Sequence, residues 1–594
     1  MHVKDRVVRL QALLREKSLQ AYVVPSADPH QSEYVASAWK RREFISGFSG
    51  SAGVFACTQS EAGLWTDGRY WVQAEVELEA SGIALFKQGA PDVLDWKQWF
   101  AAKLKRGDRV GLNAELFSID QYQALDAVLK AAGIEIVNCH PDLVDQVWGV
   151  ERPELPSAAL REHPAVHAGE SLTQKLQRLR SAIKLRKAQA LLVSALDELA
   201  WVLNLRGADV EYNPVFYGYL LIEEQRLTLF VDPRKIHPAV TKALGENTLV
   251  KPYEALGEVL QQLKGEAPVW LDPTTTSAAV CQILTAASVP VLTETSPIPA
   301  WKAKKNAAEL EGMRQAHIRD GIALTHFWKW FEAEVPRGGI DEIKIAEVLE
   351  GFRTKGSHYL GASFATIAGF GAHGALPHYR ATEQSNVELT SPGIFLLDSG
   401  GQYSDGTTDI TRTFALGTPT AQQKEVYTRV LKGHLLLARS AFPKGTNGYQ
   451  LDVLARQPLW QYALDYGHGT GHGVGAALCV HEGPFSVSLR KNMIALEVGH
   501  VLSNEPACYL VGEFGVRIEN LLTVVPKSTS AFGEFLGFED LTVFPYDRRL
   551  IELSYLSEEE RAQVDRYHQQ VFATLSPHLD AEAQNFLRTA CAAL

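Results

Sequence analysis

One order of features occurs twice in the first half of the chain, and this repeat limits the possible folds more than any other feature. Each copy begins with an amphipathic helical stretch (RVVRLQALLREK; LTQKLQRLRSAIK) and continues with an apolar strand (AYVVPS; ALLVSA). An aromatic and apolar segment ending in Gly (EFISGFSG; AWVLNLRG), a further strand and an Asp-x-Arg turn (WTDGRY; FVDPRK) follow in both. Because helix and strand alternate, each copy predicts a small α/β domain. Chance alignment of two unrelated α/β segments is the alternative interpretation.

Two Pro-containing passages interrupt the pattern: ERPELPSAALREHP, from Glu151 to Pro164, and SPIPAWKAKKN, from Ser296 to Asn306. They predict three domains, over residues 1–160, 161–304 and 305–594. A chain of 594 residues is long enough for three. From Ser363 onward, short β-runs punctuated by Gly and Asp alternate with helical stretches, so the third block predicts an α+β domain built from hairpins. The stretch after Leu556 predicts two closing helices.

Composition disfavours several classes of function. The formal net charge is −11 and no long run of Lys or Arg occurs, so nucleic acids and anionic membranes are disfavoured as partners. The six cysteines are scattered singly, without a CxxC pair, and indicate reduced thiols. The charged N-terminal stretch is unlike a signal peptide, and no run of about 18 apolar residues occurs. We therefore expect a cytoplasmic protein that acts on small or peptidic partners.

The first of two hairpins in the third block brings a pair of acidic residues together. Asp398 ends the apolar run IFLL, and Asp409 follows eleven residues later, beyond a turn built from Ser404, Asp405 and Gly406. The carboxylates of Asp398 and Asp409 are therefore expected to face each other across adjacent strands. Opposed like charges destabilise a sheet unless a cation lies between them or one carboxyl stays protonated for acid–base chemistry.

The second hairpin repeats the arrangement, because Glu505 and Glu519 bracket a glycine-rich turn. Between the hairpins, the segment HGTGHGVG places glycines beside His468 and His472 and keeps bulk away from both imidazoles. Four carboxylates and one imidazole suit two divalent cations with oxygen-rich ligation, such as Mn²⁺, or Co²⁺, Fe²⁺ or Zn²⁺. The pattern therefore indicates a dinuclear metal site.

Structural roles explain parts of the same pattern. An Asp beside a β-turn is usually a turn or cap residue, and Asp405 fits that role. A His flanked by glycines is more often a hydrogen-bonded loop residue than a metal ligand. The residue pattern alone leaves both interpretations open.

Four segments resemble the metal-binding segments of the pita-bread metallopeptidase family, which includes methionine aminopeptidase, prolidase, creatinase and aminopeptidase P. They are LLDSGGQYSDGTTDITRT, HGTGHGVG, NEPACY and RIEN, and the resemblance extends upstream through MRQAHIRDGIAL and SFATIAGFGAHGALPHY. Two creatinase-like N-terminal domains, with SADPHQSEY and GFSGSAG in the first, make the long three-domain aminopeptidase P group the best match over nearly the whole chain. The implied fold is two creatinase-like α/β domains followed by a pita-bread catalytic domain.

The resemblance implies a ligand set and an active site. Asp398 would chelate one metal ion, while His472 and Glu505 would complete the shell of the second. Asp409 and Glu519 would bridge both ions, which the family usually holds as Mn²⁺, with Zn²⁺ or Co²⁺ as alternatives. The implied catalytic residues are His378, His468, His481, Glu505 and Arg517.

The reaction that the resemblance implies is hydrolysis of the bond between an N-terminal residue and a following proline, by a hydroxide that bridges two cations. Glu505 would accept the proton of the nucleophile, and His481 and His378 would hydrogen-bond the intermediate or the peptide backbone. Arg517 would fix ligand orientation. The implied partners are peptides with proline in second position, and a second copy of the chain in a homodimer formed through the catalytic domain.

The chain departs from the family pattern beside one predicted ligand, since Asn504 and Ala507 stand where Asp and Gly are common around Glu505. Neither departure removes a ligating atom. Three further histidines match no functional position and are interpreted as ordinary loop or helix residues: His373, His434 and His500. Trp460 lies in the amphipathic stretch ARQPLWQYALDY, which predicts core or interface packing.

Two other classes of function compete with a proline-specific aminopeptidase. A prolidase confined to dipeptides, or a creatinase-type C–N hydrolase, would share the fold. The duplicated N-terminal blocks count against the first of these, and the intact ligand positions against the second. A non-catalytic peptide or histone binder is the other class, and five intact ligand positions with three histidines count against it.

Overall fold

The computed structural model describes all 594 residues and divides into two compact units. The first unit comprises Met1–His163 and Glu170–Ile298, and the second comprises Pro164–Gly169 and Pro299–Leu594. None of the helices combines the length and the apolar character needed to cross a bilayer. The division into three domains stays a prediction, because the first two blocks lie within one compact unit.

Six strands form the first sheet of the first unit: β1 (Ala21–Pro25), β2 (Val54–Thr58), β3 (Ala62–Thr66), β4 (Ala84–Lys87), β5 (Arg109–Leu112) and β6 (Glu135–Asn138). Their order in space is β4-β3-β2-β1-β5-β6. The helices of this part are α1 (Val3–Glu16), α2 (Arg41–Ser46), α3 (Trp71–Glu77), α4 (Trp96–Lys103), α5 (Ile119–Ala131) and α6 (Leu143–Trp148). Helix α1 buries Val7, Leu10 and Leu14, which share one face at helical spacing.

The second sheet of this unit follows after a short strand, β7 (Arg161–Glu162), and a short helix of the second unit, α7 (Ala165–Ala168). The strands that follow are β8 (Ala190–Val193), β9 (Leu205–Arg206), β10 (Gly218–Glu223), β11 (Leu227–Val231), β12 (Thr248–Lys251), β13 (Val269–Leu271) and β14 (Val291–Thr293). Strand β9 pairs with β7 outside the sheet. The order in the sheet is β12-β11-β10-β8-β13-β14. The helices are α8 (Leu172–Leu185), α9 (Leu196–Leu203), α10 (Pro238–Leu244), α11 (Leu256–Gln262) and α12 (Ala278–Ala286).

The two sheets have the same topology. The β1–β2 and β2–β3 pairs are antiparallel, as are β8–β10 and β10–β11. The pairs β3–β4, β1–β5 and β5–β6 are parallel, as are β11–β12, β8–β13 and β13–β14. The turn after β3 pairs Arg69 with Asp67, and the turn after β11 pairs Arg234 with Asp232 in the same way. The repeat predicted from the sequence is therefore confirmed in the strand order.

The second unit is an α+β fold with mostly antiparallel strands. Its helices are α13 (Ile298–Ala303), α14 (Ala307–Glu334), α15 (Glu342–Arg353), α16 (Ala421–Ala438), α17 (Gly448–Trp460), α18 (Glu558–Leu575) and α19 (Ala581–Ala590). Its strands are β15 (Tyr359–Ala362), β16 (Ile367–Phe370), β17 (Gly393–Ser399), β18 (Gly401–Tyr403), β19 (Ile410–Leu416), β20 (Phe442–Pro443), β21 (Gly471–Gly473), β22 (Glu482–Val487), β23 (Val501–Asn504), β24 (Ala507–Leu510), β25 (Phe514–Arg517), β26 (Asn520–Ser530) and β27 (Gly533–Asp540).

Two of the sheets in this unit carry the candidate site. One has the order β16-β17-β19 and the other β20-β27-β26-β23-β21-β22, while β24 and β25 form a separate hairpin. Helix α14 begins with a capping box between Asn306 and Glu309, which supplies partners for its first backbone N–H groups. Helices α18 and α19 are the two closing helices that the sequence predicts.

Candidate metal centre

The first acidic pair lies on strands β17 and β19, but its register differs from the prediction. Asp398 pairs with Thr411, and Asp409 precedes β19 by one residue, so Asp409 is the diagonal neighbour of Asp398. The intervening chain forms a hairpin in which Gln402 bridges Thr407, in the same alignment as Asp398 and Thr411, so the centre of its turn lies one residue after the midpoint of Asp398 and Asp409. Directly facing carboxylates were therefore the wrong expectation. Diagonal neighbours on one sheet face still lie within reach of each other.

The second acidic pair has the predicted register. Asn504 pairs with Asn520 in the β23–β26 ladder, and Ala507 pairs with Arg517 in the β24–β25 ladder. The two ladders keep the same alignment, so Glu505 and Glu519 lie opposite each other in the gap between them. Neither Glu505 nor Glu519 belongs to a strand, but the ladders on either side of the gap fix the positions of their backbones.

His472 lies on β21 with its Nε2 atom toward this acidic group. Nδ1 is 3.0 Å from the Gly473 carbonyl oxygen, to which it donates. Nε2 is 3.6 Å from Oδ2 of Asp409 and 3.5 Å from Oε1 of Glu505. An imidazole held in this tautomer presents a lone pair to the carboxylates, which is the orientation of a metal-ligating histidine.

The glycines around His472 serve a different purpose from the one predicted. A Cβ atom on Gly471 would lie 1.9 Å from the Ser503 carbonyl oxygen, and one on Gly473 would lie 2.3 Å from the Glu482 carbonyl oxygen. These glycines allow β21 to approach its two neighbouring strands closely. Shielding of the imidazoles from bulk is not needed to explain them.

The donor atoms fit a pair of hard or borderline divalent cations. One donor atom from each of Asp409, His472 and Glu519 lies within 4.8 Å of the others. Glu505 joins this group through its contact with His472. Asp398 Oδ1 is buried and has no hydrogen-bond partner within the protein. Since buried polar atoms are almost always satisfied, this orphan oxygen is an acceptor that a cation would complete.

The electrostatics of the metal-free cluster favour protonated carboxyls. Burial, followed by the carboxylates of Glu519, Asp398 and Glu505, holds the pKa of Asp409 well above its ordinary value. Burial and Glu519 likewise raise the pKa of Glu505 well above its ordinary value. Burial and Asp398 raise the pKa of Glu519 to about 8. The cluster therefore contains several carboxyl groups but a single arginine in contact with them, Arg517, which binds Asp398.

Hydrogen bonds connect one predicted ligand to a predicted catalytic histidine. Arg517 Nη2 donates to Asp398 Oδ2 at 2.7 Å, and Arg517 Nη1 donates to the Tyr509 hydroxyl. The Tyr509 oxygen is 2.8 Å from Nε2 of His468, whose Nδ1 lies 2.7 Å from the Gly469 carbonyl oxygen. Both ring nitrogens of His468 are thus engaged by the protein itself.

Sequence reasoning missed three polar partners of the cluster. Thr411 Oγ1 donates to Glu519 Oε2 at 2.8 Å, and Ser503 Oγ donates to Glu505 Oε1 at 3.2 Å. Tyr509 is the third. Strand alternation could have identified two of them, since Thr411 is two residues after Asp409, and Tyr509 is diagonal to Arg517 on one face of its hairpin.

The other two predicted catalytic histidines have different settings. The His481 ring lies edge-on to the His472 ring, with centroids 4.4 Å apart. His378 lies on the loop after a 3₁₀ turn at Gly371–Ala375, and this turn packs on the hairpin β24–β25. The arrangement brings His481 to the cluster, whereas the role of His378 stays a prediction.

A buried charge cluster adjoins His481. Its neighbour Glu482 accepts a hydrogen bond from Lys302 Nζ at 2.6 Å and also one from Lys305 Nζ. Lys302 is the penultimate residue of α13, and Lys305 donates its backbone N–H to the Gly499 carbonyl at 3.0 Å. All three charged side chains are almost fully buried. The passage from Ser296 to Asn306, which predicts a domain boundary, therefore lies against the start of β22.

The departures and the remaining histidines have local explanations. The Asn504 amide nitrogen donates to the His434 carbonyl at 2.9 Å, and an Asp at 504 would lack this donor. His434 lies between the Asn504 carbonyl and the Tyr546 hydroxyl. His500 stacks on Phe485, and His373 contacts Glu342 at 2.8 Å.

Known families and proteins match the chain along its length. The family described as "Metallopeptidase family M24" matches residues 311–526, and "C-terminal region of peptidase_M24" matches residues 534–594. Two families described as "Creatinase/Prolidase N-terminal domain" match residues 6–147 and 151–309.

Curated relatives cover nearly the whole chain. "Probable Xaa-Pro aminopeptidase P" of Talaromyces marneffei is 42% identical over 586 residues, covering 96% of this chain and 89% of its own length. "Aminopeptidase P2" of Arabidopsis thaliana is 41% identical, with 97% and 86% coverage. The solved X-prolyl aminopeptidase of Caenorhabditis elegans, described as a cytosolic enzyme with a di-nuclear active site, is 35% identical. It superposes with a TM-score of 0.96 over 100% of both chains.

Proposed function

The chain belongs to the M24 metallopeptidases, and from this premise we propose that it is an Xaa-Pro aminopeptidase that hydrolyses the bond between an N-terminal residue and a following proline. One observation carries the proposal: Asp409, His472 and Glu519 converge within 4.8 Å, with the orphan oxygen of Asp398 in the same cluster. The names of relatives at about 42% identity supply the proline specificity. Such a bond is a tertiary amide. It has no N–H that an ordinary aminopeptidase could use to orient the substrate.

We propose two divalent ions as the cofactor, with Mn²⁺ as the native metal. Asp398, Asp409, His472, Glu505 and Glu519 would hold them. When bound, the ions supply a water of lowered pKa and Lewis-acid polarisation of the scissile carbonyl. The donor set supports this assignment, because it contains four carboxylates, one imidazole and no thiolate.

The proposed roles of the surrounding residues follow from their contacts. Glu505 takes a proton from the nucleophile and delivers it toward the leaving nitrogen, and Ser503 orients its carboxylate. His481, adjacent to His472, donates a hydrogen bond to the developing oxyanion. His378 binds the peptide backbone. Arg517 fixes the Asp398 carboxylate at 2.7 Å.

His468 is proposed to act through Tyr509 rather than on the substrate directly. Its two ring nitrogens already contact Gly469 and Tyr509, and Tyr509 contacts Arg517. This chain of hydrogen bonds orients the Arg517 guanidinium against Asp398. Its loss would disturb the ligand without removing a donor atom.

Peptide hydrolysis tests the proposal. Metal-stripped protein is reloaded with Mn²⁺ and incubated with Arg-Pro-Pro and with Arg-Ala-Ala, and released arginine is measured. Release from Arg-Pro-Pro alone is expected, and Asp409→Ala is expected to abolish it while circular dichroism stays unchanged. Release from the dipeptide Arg-Pro in a parallel incubation, with none from Arg-Pro-Pro, would instead identify a prolidase, and binding without hydrolysis would identify a peptide-binding protein.

The finer organisation is proposed as well. Three domains, 1–160, 161–304 and 305–594, are supported by separate family matches that begin near the same positions. A cytoplasmic location is supported by the description of the C. elegans enzyme as cytosolic. A homodimer through the catalytic domain is supported by an exposed apolar stripe on α17, formed by Tyr449, Val453 and Trp460 at helical spacing.

A further inference from the structure

Arg412 lies behind the candidate metal centre and binds both strands that carry the predicted bridging ligands. It follows Thr411 on β19 and is 2% exposed. Its Nη1 donates to the Thr411 carbonyl at 3.0 Å and to the Glu519 carbonyl at 2.6 Å. One guanidinium nitrogen therefore joins the backbone beside Asp409 to the backbone of Glu519.

The opposite side of the same guanidinium binds the C-terminal region. Nε donates to the Pro545 carbonyl at 3.0 Å, and Nη2 donates to the Phe544 carbonyl. Nη2 also donates to Asn520 Oδ1 at 2.9 Å and to the Tyr567 hydroxyl at 3.2 Å. Tyr567 belongs to α18, and its hydroxyl lies 3.0 Å from the Phe544 carbonyl oxygen, to which it donates.

All of these partners are neutral, which separates Arg412 from the other arginine near the cluster. Arg517 pairs with a predicted ligand, so it influences the charge of the centre directly. Arg412 instead uses its planar fork to fix the positions of four backbone carbonyls from three chain segments. A point charge such as Lys has neither the number nor the directions of donors to replace it.

We propose that Arg412 and Tyr567 form a brace that sets the spacing between Asp409 and Glu519, so that the C-terminal region determines how tightly the ion pair is held. The inference rests on the dinuclear site of the proposed function. Both are positioning residues: they reach neither substrate nor ion. Partners that orient ligands typically change metal affinity about 10–100-fold when they are lost.

Metal titration of the full-length, metal-stripped protein tests the brace, with Co²⁺ as the probe because its visible spectrum reports ligand geometry. Wild-type protein, Arg412→Lys, Tyr567→Phe and the control Tyr427→Phe are compared. Tyr427 is a buried tyrosine of the same core cluster whose hydroxyl has no hydrogen-bond partner. Circular dichroism establishes that each variant is folded.

We expect wild-type and Tyr427→Phe proteins to bind two ions alike. Arg412→Lys is expected to bind at least one ion about tenfold more weakly and with an altered spectrum, and Tyr567→Phe to show a smaller change in the same direction. Excess metal should restore most of kcat in both. If Arg412→Lys does not fold, Tyr567→Phe decides. Unchanged affinity and spectrum in the folded variants would overturn the brace, whereas a wild-type protein that binds no ion would overturn the proposed function itself.

Discussion

Metal loading at neutral pH should release protons, because the metal-free cluster holds them. The pKa values of Asp409 and Glu505 are well above their ordinary values, and that of Glu519 is about 8. A cation needs the ionised form of each carboxylate. Each ligand that is protonated in the metal-free protein must therefore lose its proton as the ions enter.

The size of the release follows from these pKa directions. At pH 7 a group with a pKa of about 8, such as Glu519, carries roughly nine-tenths of a proton. Asp409 and Glu505 add at most one each, so loading two ions should release between about one and three protons per chain. Because the metal competes with protons, affinity should rise with pH up to about 8, with a slope of log K against pH equal to the number released.

Titration calorimetry in buffers of different ionisation enthalpy measures this number. Glu519→Gln should lower the release by about one proton, since it removes one titrating ligand. Asp405→Asn is the control, because Asp405 is a buried acid of the turn before Asp409 and its carboxylate pairs with Arg319. A binding heat that does not depend on the buffer, with two ions bound, would refute the electrostatic reasoning.

Four further predictions concern stability and turnover. In metal-free protein the contribution of Glu519 to stability should be complete below its unfolded pKa of 4.5 and be lost as pH rises through about 8, because Glu519 binds a proton more tightly when folded; thermal unfolding with chelator measures this. His481→Ala should keep two ions by elemental analysis yet hydrolyse peptide about 100-fold more slowly. Glu482→Ala removes the carboxylate that two buried lysines share and should cost about 3–5 kcal/mol in denaturant unfolding, whereas unchanged stability would contradict the burial argument. Gly515→Ala places a Cβ atom 1.8 Å from the Gly374 carbonyl oxygen and should cost about 1–3 kcal/mol in the same assay.

The sequence predicts most of the fold because its signals are local and periodic. The repeat in the first half of the chain has the same strand order in both copies, and apolar spacing in RVVRLQALLREK is enough to predict α1. Glu505 and Glu519 lie opposite each other as predicted, since a short hairpin between them transmits one register. The local sequence pattern is therefore sufficient to predict the register where two strands are joined by a short hairpin.

Prediction fails where a turn is displaced by one residue and where partners come from distant segments. Asp398 and Asp409 are offset because the turn between their strands is centred one residue later than the midpoint of the pair, a shift that the turn residues alone do not indicate. The six donor contacts of Arg412 reach residues up to 155 positions away, so no spacing in the sequence indicates them. The prediction of a domain boundary in the passage before α14 gives no sign of its buried lysines for the same reason, since their partner Glu482 is 177 positions from Lys305.

Those two lysines also decide where the polypeptide can be shortened. A fragment that starts at residue 306 would retain all five predicted ligands, yet the buried Glu482 carboxylate next to His481 would lose both of the lysines that pair with it. A fragment that starts at Pro299 would keep both ammonium groups. Proteolysis or gene truncation that aims to isolate the second unit should therefore cut upstream of Trp301. A cut a few residues later would remove the two lysines, and the resulting loss of activity could be mistaken for an effect of removing the N-terminal half.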